Sequence, residues 1–183
     1  MKVRFKILLK GVTMKSTSFL SLLPSLPLSL AVGLALLGTA NASVTVTFIQ
    51  PEKYADMPFN SRDKENVMAD LQKHFDTLGA TLPAGQDLKV DILDIDLAGR
   101  IEPSTRLTQD LRILRGSADW PIITLRYSLE TQGKVLKSGE ERIADMSYLQ
   151  GYNRYNSGES LRYEKQMIDR WFKKTLAAPK AGG

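Results

Sequence analysis

The stretch Leu88–Leu97 constrains the fold more than any other part of the sequence, because its apolar residues alternate with polar ones and then change phase. Alternation with a period of two is typical of a strand that buries one face. Since a strand cannot change its buried face without an extra residue, the phase change predicts a β-bulge near Ile92–Leu93. With that bulge, four polar side chains share the solvent face: Lys89, Asp91, Asp94 and Asp96.

The patterns before this stretch predict a strand followed by a helix. Residues 43–49 alternate valine and threonine, which is typical of a strand. Residues 61–79 carry apolar side chains at helical spacing, with Asn60 or Ser61 available as the cap and Gly79 as the stop.

The patterns after it predict a hairpin and a second helix. Within residues 120–148, Gln132-Gly133 suits a two-residue turn and Gly139 predicts a bulge in the returning strand. Residues 157–176 carry apolar side chains at helical spacing. Residues 98–118 show neither the period of two of a strand nor the spacing of a helix, so we interpret them as a long, partly ordered loop.

In chain order, these elements predict an α+β fold. A single domain, residues 43–176, would have one mixed or antiparallel β-sheet of about four strands with two helices packed on one face. The first strand–helix–strand unit is compatible with a right-handed parallel crossover, so the topology of the first two strands stays open. The tail 177–183 is expected to be disordered.

Residues 1–42 are typical of a cleaved secretory signal peptide. A basic front precedes an apolar run from Phe19 to Leu37, and Ala40 and Ala42 occupy the −3 and −1 positions of a cleavage site. An uncleaved membrane anchor is the alternative, but prolines interrupt the run, and a spanning helix needs about 20 apolar residues. Whether the first or the second methionine is the start does not alter the cleavage site. The sequence therefore predicts a periplasmic protein that does not span the membrane after cleavage.

Removal of this segment changes the charge of the protein. The whole chain has 25 Lys and Arg against 20 Asp and Glu, and five of the basic residues lie in the first 42 positions. The mature chain is then neutral, so the electrostatic argument for a nucleic-acid partner disappears. Since the chain has no cysteine, disulfides and a bacterial lipoprotein anchor are excluded, and the mature chain needs one ordinary core.

The aspartates of the opening stretch are open to more than one interpretation. Carboxylates two residues apart on a strand lie roughly 6–7 Å apart, a separation compatible with the acid pairs of glycosidases. Calcium usually takes ligands that converge from a glycine-containing turn. We favour a solvated face on which Asp91, Asp94 and Asp96 are balanced by Lys89 and by arginines of neighbouring strands. We expect no metal and no cofactor.

Glu164 falls inside the apolar arc of the second helix, between Ile168 and Trp171 on a helical wheel. A buried carboxylate must be paired or neutral, so we expect a buried ion pair with an arginine. The candidates are Arg112, Arg115, Arg126 and Arg142.

Few residues favour catalysis. His74 is the only histidine, and it lies at the edge of the apolar stripe of the first helix, which is typical of a packed boundary residue. The single histidine excludes a two-histidine zinc site. With no cysteine and no glycine-rich phosphate loop, the sequence gives little support to a nucleophilic triad and none to a nucleotide site. We therefore assign no catalytic residue.

The loop from Ala98 to Trp120 is the predicted functional surface, because long loops are usually functional or disordered. Its apolar residues, Trp120 among them, should pack it against the domain and so hold four polar side chains in place: Arg100, Arg112, Arg115 and Asp119. These four and Trp120 are the candidate binding residues. Guanidinium groups suit a carboxylate or phosphate of an anionic partner. In the alternative interpretation, Arg100 and Asp119 only pin the loop to the sheet.

Four stretches together carry a family resemblance: LPAGQDLKVDILDIDLAGRIEP, LRILRGSADWPIITLRY, IADMSYL and LRYEKQMIDRWF. From Val44 to Leu176, the chain resembles a family of small secreted proteobacterial proteins catalogued only as a domain of unknown function. The resemblance implies an exported single domain. It brings no known activity, ligand or catalytic residue.

Two main functional hypotheses follow. The first is a non-catalytic periplasmic module that binds an anionic envelope ligand or an envelope protein. The second is a carboxylate-dependent hydrolase of an envelope polymer, with Asp94, Asp96 and Glu164 as its acids. A deep cleft with converging carboxylates would favour the hydrolase, and a shallow surface of arginine and aromatic residues would favour the binding module. A structural or stress-response role without a small ligand also stays open.

Overall fold

The computed structural model describes residues 42–102, 111–116 and 118–176. The predicted signal peptide, up to residue 41, and the predicted disordered tail, residues 177–183, lie outside the described residues. The elements in chain order are β1 (Ser43–Phe48), α1 (Ser61–Gly79), β2 (Gln86–Asp96), β3 (Arg100–Glu102), β4 (Leu111–Ile113), β5 (Ile122–Thr131), β6 (Lys134–Ala144) and α2 (Arg162–Thr175). A single 3-10 turn, Pro51–Lys53, lies between β1 and α1.

The main sheet has four strands in the order β1-β2-β5-β6. β1 runs parallel to β2, and the other two pairs are antiparallel. The core lies between this sheet and the two helices, where Leu71 and Phe75 of α1 and Ile168 of α2 are fully buried with Val90 and Leu125 of the strands. The prediction of a single α+β domain with one sheet of about four strands and two helices is confirmed, and of the two open alternatives the sheet is the mixed one.

The predicted bulge lies in β2 where the alternation changes phase. Ile92 pairs with Leu125 of β5 and Asp94 pairs with Thr124, so Leu93 is the extra residue. The apolar residues before and after it, Ile92 and Ile95, are both fully buried. The extra residue keeps both halves of the apolar pattern on the helix-covered face.

The hairpin of β5 and β6 turns at Gln132 and Gly133, as predicted, with φ angles of 48° and 76°. Positive φ at both turn residues matches the right-handed twist of the strands. The predicted bulge at Gly139 is wrong, because Gly139 pairs directly with Tyr127 and the register shifts near Leu136 instead. A Cβ on Gly139 would lie 3.2 Å from the Tyr127 ring, so the glycine makes room for that ring.

The two helices differ in how closely they follow the predictions. α1 begins after Asn60, whose side chain accepts a hydrogen bond from Arg62 N at 2.8 Å. α2 begins at Arg162, later than the predicted residue 157, because Leu161 adopts a φ of 53° and interrupts the helical backbone. Six apolar side chains of the predicted segment 157–176 are buried: Leu161, Met167, Ile168, Trp171, Phe172 and Leu176.

The predicted long loop at 98–118 contains a second, two-stranded sheet, which corrects that interpretation. β3 and β4 pair antiparallel, with Ile101 opposite Arg112. Each strand has three residues, which is too short for a period of two to stand out in the sequence. Within the residues that the structure describes, neither helix is both long and apolar enough to span a membrane.

Candidate functional site

The structure separates the arginines that the sequence placed on one surface. Residues directly opposite in an antiparallel pair share a face, so Arg112 and Ile101 face one way and Arg100 faces the other. Arg100 forms an exposed ion pair with Glu102 of its own strand. Arg112 extends towards α2, where its Nη1 lies 3.4 Å from Glu164 Oε1. The two guanidinium groups therefore do not converge on one ligand.

Asp119 holds the turn that follows β4. Its carboxylate accepts hydrogen bonds from Arg115 N at 2.6 Å, from Gly116 N at 2.8 Å and from the Tyr148 hydroxyl at 3.0 Å. Burial raises the pKa of Asp119, but these hydrogen bonds outweigh it and hold the pKa below its ordinary value. The Arg115 side chain is exposed and Trp120 is half-buried. Asp119 thus has a positioning role in this geometry.

Glu164 is fully buried at the start of α2. Its Oε1 accepts a hydrogen bond from Ala98 N at 2.7 Å and lies 3.4 Å from Arg112 Nη1. Arg126, another candidate partner, instead contacts Glu140 on the outer face of the sheet at 3.1 Å. The carboxylate therefore joins α2 to the β2–β3 connection and to β4.

Asp56 lies within reach of the Glu164 charge, and its backbone pairs with that of Asp96. Burial raises the pKa of Asp56. The positive charge of Arg112 opposes this effect, whereas the negative charges of Asp96 and Glu164 add to it. Burial and the neighbouring Asp94 likewise raise the pKa of Asp96. Within residues 42–102, 111–116 and 118–176, no group of three or more acidic or histidine side chains has the geometry of a metal site.

The aspartates of β2 make separate contacts. Asp91 lies 3.8 Å from Arg126 of β5, whereas the Asp94 carboxylate accepts a hydrogen bond from Ala55 N at 2.8 Å. Lys89 pairs with Glu130 at 2.9 Å. Acids and bases alternate on this outer face, so their charges balance locally. A depression of about 450 Å³ lies beside Arg126 on the same face.

A second cavity, of about 240 Å³, lies between the helices, and we call it the inter-helix cavity. Three groups of side chains line it, from α1, from the connection between β6 and α2, and from α2 itself. They are Asp70, Lys73, His74 and Thr77; Arg154, Tyr155 and Glu159; and Lys165.

Asp169 of α2 lies behind the inter-helix cavity and is 3 % exposed. Its Oδ2 accepts a hydrogen bond from the Tyr155 hydroxyl at 2.9 Å and contacts Arg154 Nη1 at 3.0 Å. Its Oδ1 lies 3.1 Å from His74 Nε2. A buried carboxylate requires such partners, and these contacts connect both helices to the connection that precedes α2.

His74 has a defined tautomer in this arrangement. Nε2 lies 3.1 Å from the Lys165 carbonyl oxygen and at the same distance from Asp169 Oδ1. Only the carbonyl contact is an aligned hydrogen bond, and the Asp169 contact is electrostatic. Both partners are acceptors, so we assign the proton to Nε2 and a lone pair to Nδ1. Burial lowers the pKa of His74, and this outweighs the opposing effect of Asp169.

Lys165 contributes a buried ammonium group to the cavity wall. Its side chain is 9 % exposed, and Nζ lies 2.6 Å from Oε1 of Glu159, whose side chain is 46 % exposed. A buried charge is costly unless it is paired. The ion pair therefore joins a cation held by α2 to an acid that reaches in from the surface.

Little in the sequence indicates this cavity. The position of His74 in the sequence is typical of a packed boundary residue, and its partner Lys165 lies 91 positions away. One local signal was available, because Lys165 and Asp169 lie four residues apart on the inward side of α2 and are both buried. Two inward charges of opposite sign on a helix indicate a polar cluster.

The fold and this cavity define a class of protein: a single α+β domain whose mixed sheet is covered on one face by two helices with a polar cavity between them. The chain belongs to the family described as Protein of unknown function (DUF3016), whose model matches residues 42–174. The resemblance to a domain of unknown function is confirmed.

Among solved structures, the chain is similar to the crystal structure of protein XCC0632 from Xanthomonas campestris, which carries the family model DUF330. The identity is 10 %, the match covers 72 % of this chain and 79 % of that chain, and the TM-score is 0.29. No curated protein matches the chain.

Proposed function

We propose that the protein is an exported, non-catalytic binding domain that acts in the periplasm and takes an anionic group of an envelope ligand in the inter-helix cavity. The observation that carries this proposal is a cavity of about 240 Å³ whose wall contains the buried side chains of Lys165 and His74. A concave site with a few convergent polar groups and a shifted pKa is the usual form of a ligand site.

The charges around the cavity favour an anion. Three basic side chains, Lys73, Arg154 and Lys165, line it against two acids, Asp70 and Glu159. Arg154 uses one nitrogen on Asp169, and a guanidinium group has five N–H donors. Donors therefore remain for a carboxylate or phosphate of the ligand.

Two hydroxyl groups at or next to the inter-helix cavity, those of Thr77 and Ser160, support binding over catalysis. Thr77 donates its hydroxyl hydrogen to Lys73 O at 2.9 Å within α1, and Ser160 donates to Asp70. A nucleophilic hydroxyl would have to lie within hydrogen-bond reach of the histidine base. These two hydroxyls are instead directed at other acceptors.

An NMR titration of the ¹⁵N-labelled protein with acetate, N-acetylglycine and inorganic phosphate tests the proposal. We expect shift changes centred on Lys73, Lys165 and Arg154. Lys165→Met should abolish them, because it removes the buried charge and keeps the chain length. Lys174→Met is the matched control, since Lys174 is exposed on the same helix. Shift changes that survive Lys165→Met would contradict the proposal.

A carboxylate-dependent hydrolase of an envelope polymer is the second candidate. The raised pKa values of Asp56 and Asp96 favour it, because a general acid must be protonated near the working pH. Turnover of peptidoglycan or another envelope polymer that is lost in Asp96→Asn and retained in Asp91→Asn would support this candidate. Lack of turnover by the wild-type protein would exclude it for the polymer tested.

A further inference from the structure

We propose, resting on the binding function above, that Glu159 occupies the anion subsite of the inter-helix cavity and that the ligand is a carboxylate that displaces it. The carboxylate of Glu159 lies on the ammonium group of Lys165 at 2.6 Å. The Glu159 carboxylate therefore fills the position that the carboxylate of a ligand would take. The side chain is thus an internal competitor of the ligand.

The two partners of this ion pair differ in how firmly the fold holds them. Lys165 belongs to α2, and its side chain is 9 % exposed against 46 % for Glu159. Glu159 lies in the connection before α2, where its own N–H donates to Asn156 O at 3.0 Å. Since half of the acid already faces solvent, rotation of its side chain opens the subsite and leaves Lys165 in place.

The connection that carries Glu159 has other anchors. Gln166 of α2 accepts a hydrogen bond from Arg154 N at 2.9 Å and donates one to Tyr152 O at 3.0 Å. Tyr155 donates its hydroxyl hydrogen to Asp169 at 2.9 Å. Movement of the Glu159 side chain breaks none of these contacts, so the cavity wall keeps its shape during the exchange.

Charge balance favours a carboxylate over a phosphate. When Glu159 leaves, the cavity retains three bases, one lining acid and the Asp169 carboxylate behind them. A single carboxylate restores the original charge, whereas a phosphate dianion adds a further negative charge beside Asp70 and Asp169. The exchange replaces one carboxylate by another on the same ammonium group.

His74 adds a second requirement for the ligand. With the proton on Nε2, Nδ1 is a hydrogen-bond acceptor on a residue that lines the same cavity. A ligand that carries an N–H or O–H donor near its carboxylate satisfies both groups. An N-acylated amino acid or the C-terminus of a peptide has this chemistry.

An internal competitor lowers the apparent affinity of the cavity, because a ligand binds only the fraction of molecules in which the subsite is open. If the closed form outnumbers the open form by about ten to one, removal of Glu159 tightens binding about tenfold. Removal also leaves the Lys165 ammonium buried without its partner, so the melting temperature should fall and the ligand should restore it.

The test uses the whole protein as purified from cells. The probes are N-acetylglycine, its neutral analogue N-acetylglycinamide and inorganic phosphate. We compare the wild type, Glu159→Ala and the control Glu65→Ala, in which an exposed acid of α1 is removed. Calorimetry or NMR gives the affinity, and thermal melts give the rescue. We expect N-acetylglycine to bind Glu159→Ala at least fivefold more tightly than the other two, and the amide not to bind.

The remaining outcomes separate the two proposals. If the wild type binds N-acetylglycine in the cavity and Glu159→Ala binds it no more tightly, the competitor role is overturned and the binding function stands. If Glu159→Ala prefers phosphate, the carboxylate class is overturned. If no anion binds any of the three proteins, the binding function fails and this inference fails with it.

Discussion

His74 shows how burial decides the chemistry of a single residue. Its ring contacts Asp169 and the Lys165 carbonyl oxygen, and it lies edge-on to Tyr155 with ring centroids 5.8 Å apart. The carboxylate favours the protonated imidazole, but desolvation and the nearby Lys165 ammonium group disfavour it, and the pKa of His74 is lowered from 6.5. The neutral ring therefore predominates at neutral pH.

We expect His74 to make the folded protein sensitive to acid. Because its folded pKa lies below the unfolded value of 6.5, the unfolded state binds more protons, and stability falls as the pH falls below 6.5. His74→Gln keeps a hydrogen-bond donor and does not titrate. Between pH 7.5 and pH 5, the melting temperature of the wild type should fall further than that of this variant. Parallel profiles, or a wild type that gains stability on acidification, would contradict the lowered pKa.

At the scale of residues, local patterns were predictable and distant contacts were not. The bulge at Leu93 and the Gln132-Gly133 turn follow from alternation and turn chemistry within a few positions. The role of Gly139 depends on the ring of Tyr127 across the strand pair, and the surroundings of His74 depend on α2. Neither contact can be predicted from the residue pattern of a single helix or strand.

Among the elements, the β3–β4 pair depends on α2 for its place in the molecule. Glu164 contacts Ala98 N just before β3 and Arg112 within β4. Gly99, which lies between Ala98 and β3, has a φ of 80° and donates its N–H to Asp119 O at 2.8 Å. The Glu164 carboxylate thus ties the small sheet to α2, and the Gly99–Asp119 contact ties it to the segment that leads into β5.

We expect Glu164→Leu to destabilise the protein by about 3–5 kcal/mol, because it removes one partner of a buried ion pair. Glu164→Gln should cost less, since the amide oxygen can still accept the hydrogen bond from Ala98 N. Urea unfolding measures both. Glu102→Gln, which alters only the exposed pair with Arg100, is the control and should leave the unfolding free energy unchanged. An unchanged free energy of unfolding in Glu164→Leu would contradict a stabilising role for this ion pair.

Element boundaries were harder to predict than element types. β3 and β4 have three residues each, and their pairing joins residues on either side of 103–110. α2 starts late because Leu161 takes a left-handed backbone conformation, which its residue type does not favour. Tertiary packing of a buried leucine overrides local preference at that point.

For the whole molecule, the layer arrangement was the part that the sequence predicted best. Alternating strands with one apolar face and two amphipathic helices leave few ways to build one core. The site was harder to predict, because the inter-helix cavity combines residues of α1, of α2 and of the connection before α2. Its residues meet only when the complete fold has formed.

We expect the exported protein to begin at Ser43. Small residues at Ala40 and Ala42 suit the signal peptidase, and a cut after Ala42 leaves β1 whole, since that strand starts at Ser43. Intact mass spectrometry of the periplasmic fraction measures the start. Ala42→Leu should block the cut, and a wild-type species that retains residues 34–37 would contradict this site and the proposed export route.

The parallel pairing of β1 with β2 also affects the order in which the sheet assembles. β5 and β6 meet across a two-residue turn, whereas Ser43 meets Asp87 only when the whole intervening segment closes a loop. Because loop closure costs entropy, we expect the hairpin to form early and β1 to dock last. In pulse-labelled hydrogen exchange, the amides of β1 should become protected after those of β5, and the reverse order would refute this. A leader that delays β1 would therefore leave β2 as an open edge while its neighbours are already paired.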